Sequence, residues 1–205
     1  MTATPLRPTA DPIDLLTDAI ASLDLPADWV GIRATREESV SRSQRDGKPE
    51  SNQRSLQQGA MVEVLVDGQM GYAATNRLTL EGLRQAAAQA CQQAQAAAPW
   101  RIHTFAPEIR PQVMGAYRTF VERPLKTLTT GHAHELLSRI CQGLKVSEQI
   151  VQASARITTK EIDTWLVSSS GTQVHQKFSF FIPSFGATAQ DGPVVQTRTN
   201  NGRGH

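Results

Sequence analysis

The chain has 205 residues, of which 39% are hydrophobic and 20% are charged, and its formal net charge is +2. This length suffices for one large or two small domains, and the composition is that of a folded protein rather than a disordered one. The small net charge makes nucleic acid unlikely as the main partner. No apolar run approaches the roughly 20 residues that a membrane-spanning helix needs, so we expect no membrane partner.

The N-terminus and the cysteines bear on the cellular compartment. Residues 1–12 lack the charged and then apolar layout of a secretory signal peptide, so we expect a cytoplasmic protein. Cys91 and Cys141 fall at apolar positions of predicted helices. We interpret both as small buried hydrophobic residues, because cytosolic disulfides are uncommon and no further metal ligands stand at a suitable spacing.

The first predicted element is a helix that follows a flexible tail over residues 1–10. Asp11 can cap this helix, Pro12 suits its first position, and Pro26 ends the pattern. One face of the helix carries the apolar residues Ile13, Leu16, Ile20 and Leu23.

A strand-rich stretch comes next. Residues 29–35 are rich in strand-forming residues, and the polar residues 36–58 indicate solvated strands with a tight turn at Asp46-Gly47. Two apolar runs, 60–66 and 69–74, are separated by Asp67-Gly68. This arrangement predicts a β-hairpin.

A long alanine-rich helix and a connector occupy the middle of the chain. Thr79 is a plausible cap for the helix, and Pro99 ends it. Residues 99–127 contain four prolines and predict an ordered, extended connector with a subdomain boundary. Its apolar side chains are expected to need cover; they are Trp100, Ile102, Phe105, Ile109, Val113, Tyr117 and Phe120.

The last third predicts a helix over residues 131–145 and then an antiparallel meander. Its strands are predicted at residues 150–159, 162–168, 173–181 and 184–197. We therefore predict an α+β fold of antiparallel meanders with helices packed on them, in two subdomains. The predicted division is an N-terminal domain over 11–98, the connector over 99–127, and a helix plus meander over 128–205.

One cluster, His132-Ala133-His134-Glu135, invites a zinc interpretation. A zinc-binding His-Glu-x-x-His helix needs two imidazoles one turn apart, but the position four residues after His134 is Ser138. His132 and His134 lie about 200° apart around a helix, so they cannot chelate one ion together. We interpret them as exposed polar residues or partial caps at a helix start.

The carboxylate pairs do not predict an acid/base site. Glu37 and Glu38 are adjacent in a predicted strand and point to opposite faces. Glu161 and Asp163 could share a face, but a solvated strand end explains them.

A serine run at residues 168–170 lies near His175, but no Gly-x-Ser-x-Gly elbow is present. A polar hairpin turn explains this run. Strand arginines could contact a carboxylate or phosphate, although an ordinary surface is the plainer interpretation; they are Arg33, Arg36, Arg42, Arg45 and Arg54. The residues therefore predict no catalytic, cofactor-binding or metal-binding side chain.

The order of motifs after Asp28 resembles the N-terminal domain of the TldD/PmbA family, once called modulators of DNA gyrase. The similar features are the 29–35 strand, residues 58–64, the hairpin at 67–73, Leu78-Thr79 and the alanine-rich helix. Tyr72 stands where the family often has Phe. Residues 163–176 resemble a later strand pair of the family around the turn Ser169-Ser170-Gly171-Thr172.

The resemblance implies the front portion of a cytoplasmic metallopeptidase subunit that acts on peptides or unfolded proteins. It implies a partnership with a second subunit of this family or a homodimer. In TldD-like members zinc is held by a His-Glu-x-x-x-His helix. His134-Glu135 begins that pattern, but Arg139 stands at the closing position, so no catalytic residue is carried over.

We therefore expect this chain to be inactive alone, with zinc only in a downstream domain of a TldD-type parent. The ending after residues 194–199, a predicted strand, suggests a fragment or truncated product of a protein about twice as long. The alternative is a non-enzymatic, PmbA-like partner subunit or interaction module.

Overall fold

The computed structural model describes residues 12–200, which form three α-helices and seven strands. The helices are α1 (Pro12–Ala21), α2 (Leu80–Ala97) and α3 (Thr130–Leu144). The strands are β1 (Trp29–Arg45), β2 (Lys48–Val66), β3 (Gln69–Thr75), β4 (Met114–Arg118), β5 (Ile150–Ser168), β6 (Gln173–Asp191) and β7 (Val194–Thr199). The predicted tail over residues 1–10, the cap at Asp11 and residues 201–205 lie outside the described residues.

The strands form one sheet in the order β3-β2-β1-β5-β6-β4, and β7 pairs with β6. The β2–β3 and β6–β7 pairs are antiparallel hairpins. β1 and β5 are also antiparallel, because Asp46 N–H donates to Ala153 O while Ser169 N–H donates to Val30 O. The α+β class of antiparallel meanders with helices packed on them is confirmed.

β4 differs from the other strands in its direction. The N–H of Gln173 donates to Val113 O, and the N–H of Thr119 donates to Lys177 O. Residue numbers increase in the same direction along both strands between these two bonds, so β4 runs parallel to β6. All five residues of β4 are exposed.

The chain divides into two compact units. Unit 1 comprises the residues through Arg36, Gln58–Tyr117 and Asp163–Gln176. Unit 2 comprises Glu37–Gln57, Arg118–Ile162 and the residues from Lys177 on. Each unit combines segments that are distant in sequence, whereas the predicted division over 11–98, 99–127 and 128–205 is linear and stays a prediction.

The core of unit 1 lies between helices α1 and α2 and the apolar halves of β1 and β2. Most buried residues of α2 are alanines, accompanied by Leu83 and Cys91. Alanine lets a helix approach a strand closely, and Gly71 of β3 lies at such a close approach. A Cβ placed there would lie 1.8 Å from the carbonyl oxygen of Ala90. The N–H of Tyr72, also in β3, donates to Gln93 Oε1 of α2.

The core of unit 2 is smaller. Leu137 and Cys141 of α3 pack on the β5 residues Ala153, Ala155 and Ile157. The partly buried residues around this cluster are Leu128, Leu136, Ile140, Leu144, Phe181 and Phe185. Ala153, Ala155 and Cys141 are small, so the larger leucine and phenylalanine side chains around them fill most of this core.

The helices lie where the sequence predicts them, but two predicted strand breaks are absent. β5 continues through residues 160–161, and β6 continues through Pro183. Pro183 is tolerated because its missing N–H would point to the edge of β6 between β4 and β7, where no strand of residues 12–200 pairs with it. Asn200 supplies side-chain partners at this edge: Nδ2 donates to Pro183 O, and Oδ1 accepts from Phe185 N–H.

The connector is less covered than predicted. It contains β4 and three short 3-10 turns, Ala98–Trp100, Pro107–Ile109 and Leu125–Thr127. Trp100 is 83% exposed and Phe120 is 91% exposed, and Ile102 is fully exposed. The described residues therefore do not cover these three side chains, contrary to expectation.

Candidate functional site

His132 and His134 lie in the first turns of α3 and have different surroundings. His132 is exposed, and its backbone N–H donates to the Oγ1 of the N-cap residue Thr129 at 3.2 Å. His134 is half-buried, with its Nδ1 2.9 Å from Gln44 Nε2. The same Gln44 nitrogen donates to His134 O at 3.0 Å, and Ser138 Oγ donates to Gln44 Oε1 at 2.8 Å.

This network gives His134 a structural role. Since the amide nitrogen of Gln44 is a donor, Nδ1 of His134 accepts and the ring proton belongs on Nε2. Gln44 is only 1% exposed, so its amide is a buried polar group with partners for both ends. The sequence missed this glutamine, because a single Gln in a polar strand carries no sign that a helix will cover it.

The zinc expected in the parent protein does not fit the described residues. Within residues 12–200, no group of three or more His, Cys, Asp or Glu side chains could hold a metal ion. The shallow depression at His134 and Glu135 also includes Arg139. A guanidinium there opposes a bound cation, so this face of α3 cannot replace the missing motif.

The four carboxylates singled out in the sequence each have a basic partner. Glu37 lies 2.7 Å from Lys160 Nζ, and Glu38 lies 2.5 Å from Arg54 Nη2. Glu161 lies 3.8 Å from Lys177 Nζ. These contacts make each of the three glutamates half of an ion pair with a basic side chain.

Asp163 pairs with His175, and the sequence did not predict this contact. His175 Nε2 lies 2.8 Å from Asp163 Oδ1. The imidazole also stacks on the ring of Trp165, with centroids 5.1 Å apart and planes inclined by 11°. Strand periodicity places Asp163 and Trp165 on one face of β5. The sequence does not show the register of β6 against β5, and this register decides which β6 residue lies opposite Asp163.

The serines beside this pair are engaged in the turn. Ser168 Oγ and Ser170 Oγ lie 2.8 Å apart, and Ser170 Oγ accepts from Trp29 Nε1 at 3.2 Å. Ser169 Oγ accepts from the N–H of Val30 at 3.0 Å. These hydroxyls join the β5–β6 turn to β1, as the interpretation of a polar hairpin turn implies.

The strand arginines do not form one patch. Arg45 pairs with Glu50 at 2.5 Å and Arg54 pairs with Glu38. Arg33 is exposed on the face of β1 opposite the buried Ile32 and Ala34. Arg42 turns towards α3, and its Nη2 donates to Thr130 Oγ1 at 3.2 Å.

Residues 30–94 match the family model described as PmbA/TldA metallopeptidase domain 1. The resemblance to the TldD/PmbA family is confirmed. The matched domain 1 contains β1 to β3 and most of α2, including the close approach at Gly71. No curated protein matches the chain.

Three solved structures share the fold of the chain beyond domain 1. A proposed modulator of DNA gyrase from Bacteroides thetaiotaomicron has a TM-score of 0.70 and 16% identity, covering 91% of this chain and 43% of that protein. A second proposed modulator, from Thermotoga maritima, has a TM-score of 0.63 and 16% identity, covering 83% and 38%. TldE from Thermococcus kodakarensis has a TM-score of 0.61 and 13% identity, covering 91% and 42%. The chain thus spans less than half the length of these proteins.

Cys91 and Cys141 are both free and buried, as predicted. Burial raises the pKa of the Cys91 thiol in domain 1. Among the helices of residues 12–200, none is long and apolar enough to cross a membrane.

Proposed function

We propose that this chain is the N-terminal, non-catalytic portion of a TldD/PmbA-type zinc metallopeptidase subunit that acts on peptides or unfolded proteins in the cytoplasm. The match of residues 30–94 to domain 1 of that family carries the proposal. The chain would enclose substrate and support assembly with a second subunit of the family or a second copy. In a TldD-type parent, zinc would be held by a domain that these 205 residues do not include.

Two observations support a non-catalytic role. The described residues do not fit a zinc site, because the one His-Glu pair lies beside Arg139 and no third ligand joins it. The Asp163–His175 pair is stacked on Trp165, and the neighbouring serine hydroxyls bind one another and the β1 backbone. Neither arrangement provides an activated nucleophile next to a free base.

Zinc content and peptidase activity test this proposal directly. The purified chain should contain no stoichiometric zinc by elemental analysis, and it should not cleave an unstructured peptide in the presence of added zinc. Tight stoichiometric zinc, or cleavage that a chelator abolishes, would contradict the non-catalytic assignment. A His134→Ala variant would then show whether α3 is responsible.

The second candidate is a non-enzymatic, PmbA-like partner subunit or interaction module. The exposed apolar side chains of the connector, above all Trp100, Ile102 and Phe120, favour an interaction role. The coding sequence that follows His205 in the parent gene separates the two candidates. A His-Glu-x-x-x-His helix there selects the catalytic type of parent, and a continuing family domain without that motif selects the partner type.

A further inference from the structure

A cavity of about 380 Å³ lies in unit 2, between strands β1, β2 and β5 and the turn that precedes α3. Five charged side chains line it: Glu38, Arg42, Arg54, Lys126 and Glu161. Its volume falls in the range of roughly 300–1,000 Å³ that is typical of small-ligand pockets.

The acidic side chains of the cavity are already paired. Glu38 lies 2.5 Å from Arg54, and Glu161 lies 3.8 Å from Lys177. Arg42 and Lys126 have no acidic partner among residues 12–200. The uncompensated charge that faces the cavity is therefore positive.

Arg42 is the more informative of the two cations. Its Nη2 donates to Thr130 Oγ1, but its Nε is buried and has no hydrogen-bond acceptor in the described structure. Buried donors without an acceptor are uncommon, and a guanidinium cannot lose its charge. Thr130 is the first residue of α3, so this bond holds the Arg42 guanidinium at the start of that helix. An oxyanion in the cavity would be attracted by the charge of Arg42, which lines it.

The surroundings also limit the charge and shape of the ligand. Glu38 and Glu161 would repel a second negative charge, which favours a monoanion over a phosphate dianion. Val40, Leu125 and Leu128 give the cavity an apolar side. A carboxylate attached to a short aliphatic group suits this combination.

We propose that this cavity binds the carboxylate of a peptide through Arg42 and Lys126, with the adjacent apolar group against Leu125 and Leu128. The assignment rests on the proposed function, because it takes peptides to be the substrates of the parent enzyme. A guanidinium can hold a carboxylate with two hydrogen bonds, whereas Lys126 adds a point charge.

Titration of the chain with matched peptides tests this carboxylate subsite. The probes are acetyl-Leu-Ala with a free carboxyl group, the same peptide as its C-terminal amide, and inorganic phosphate. The readouts are the affinity by calorimetry and the position of the Arg42 Nε–H signal in a ¹⁵N–¹H spectrum. The free acid should shift that signal and should bind about tenfold or more tightly than the amide.

Variants locate the binding. Arg42→Gln and Lys126→Gln should each weaken binding of the free acid by about tenfold, since each removes one charge-assisted contact. Lys126 is exposed, so its variant tests the subsite even if Arg42→Gln folds poorly. Arg33→Gln is the matched control, because Arg33 is exposed on the same strand and does not line the cavity, and it should leave the affinity unchanged.

Three results would overturn the subsite. Equal binding of acid and amide that neither variant alters would show that peptides bind elsewhere, and the proposed function would survive. Tighter binding of phosphate than of the peptide acid would overturn the carboxylate assignment. An Arg42 signal that no probe moves at millimolar concentration would mean that the cavity takes no such anion.

Discussion

Helices α2 and α3 are packed on their strands by opposite means. In unit 1, α2 presents alanines to the sheet, and Gly71 lets the backbone of β3 reach the backbone of the helix. In unit 2, α3 buries Leu137 and Cys141, but it also receives the amide of Gln44, a side chain that is 1% exposed. The α2 contact requires small side chains, whereas the α3 contact also requires the hydrogen bonds of Gln44.

The two contacts should therefore fail in different ways. A close contact between backbones has no space for added volume, since neither chain can move without disturbing its hydrogen bonds. A buried amide tolerates small changes in volume, but loss of the amide leaves its partners without hydrogen bonds. Substitutions matched between the two units can separate these two kinds of stability.

Gly71→Ala is expected to have the largest effect. Its Cβ would lie 1.8 Å from Ala90 O and 2.8 Å from Ala94 N, so α2 must move away from β3. The free energy of unfolding should fall by about 3 kcal/mol, at the upper end of the cost of overpacking. Urea unfolding measures the loss. Thiol labelling under native conditions should also become faster at Cys91, next to Ala90, than at Cys141.

Gly143→Ala in α3 is the control for this substitution. No atom lies within 4 Å of a Cβ built at Gly143, and alanine is the better helix former. Its free energy of unfolding should be unchanged or higher by up to about 1 kcal/mol. Equal stability of the Gly71→Ala and Gly143→Ala proteins would refute the close approach at Gly71.

Gln44→Leu tests the polar contact in unit 2. Leucine is similar in size, but it leaves Nδ1 of His134 without its donor and the Ser138 hydroxyl without its acceptor. We expect the free energy of unfolding to fall by about 2 kcal/mol, the cost of leaving buried polar groups unpaired. Chemical denaturation of the variant measures this change.

Ser138→Ala provides the smaller step of the same series. It removes one donor to Gln44 Oε1 and keeps both hydrogen bonds to His134, so a loss of about 1 kcal/mol is expected. If Gln44→Leu were as stable as the unchanged chain, the network would add nothing to stability, and α3 would be held by apolar packing alone.

The two helices are alike in how they begin. Thr79 Oγ1 accepts from the N–H of Gly82 at 3.1 Å, and Thr129 Oγ1 accepts from the N–H of His132 at 3.2 Å. Thr79→Ala and Thr129→Ala should each lower the free energy of unfolding by about 1 kcal/mol. Thermal unfolding of the two variants should show similar losses. A neutral result at one cap would show that its helix start is held by other contacts.

The same contrast explains what could be predicted from the sequence. Helical periodicity, the Thr79 cap and the glycine turns are local signals, and the helices and hairpins they predict are present. The Gln44–His134 and Asp163–His175 contacts join residues 90 and 12 positions apart, and depend on sheet register. Pro183 shows the same limit, because a proline breaks a strand only where a partner needs its N–H.

The predicted domain division and the compact units are of different kinds. The prediction is linear and divides the chain at its proline-rich connector, whereas each compact unit combines segments that are separated in the sequence. Strands of 17 to 19 residues make this possible, because β1, β2, β5 and β6 each contribute to both units. The sequence of their polar halves does not show where a strand passes from one unit to the other, because a polar stretch is equally typical of an ordinary solvent-exposed strand.

The smallest expected effect concerns the two Asp-Gly hairpin turns. Asp46 and Asp67 have φ values of 51° and 48°, and the following glycines both have 75°. Only at Asp46 does the carboxylate accept from a distant backbone N–H, that of Ala153 at 2.9 Å, with Lys145 Nζ also 2.9 Å away. These two contacts, the backbone bond first, lower the pKa of Asp46.

A lowered folded-state pKa fixes the sign of the pH dependence. The ionised form is favoured by folding, so the stabilisation is fully present above the unfolded pKa of about 3.9 and is lost as pH falls through the lower folded value. Asn can adopt the same turn and can still accept from Ala153. Asp46→Asn should therefore cost less than about 1 kcal/mol at pH 7, and the difference from the unchanged chain should shrink at acidic pH. Denaturation curves at several pH values measure it, with Asp67→Asn as the control for the turn. If the difference in free energy of unfolding between Asp46→Asn and the unchanged chain stayed constant down to pH 2, the charge of Asp46 would not contribute to stability. Asp46 would then act only through its turn conformation, as Asp67 does.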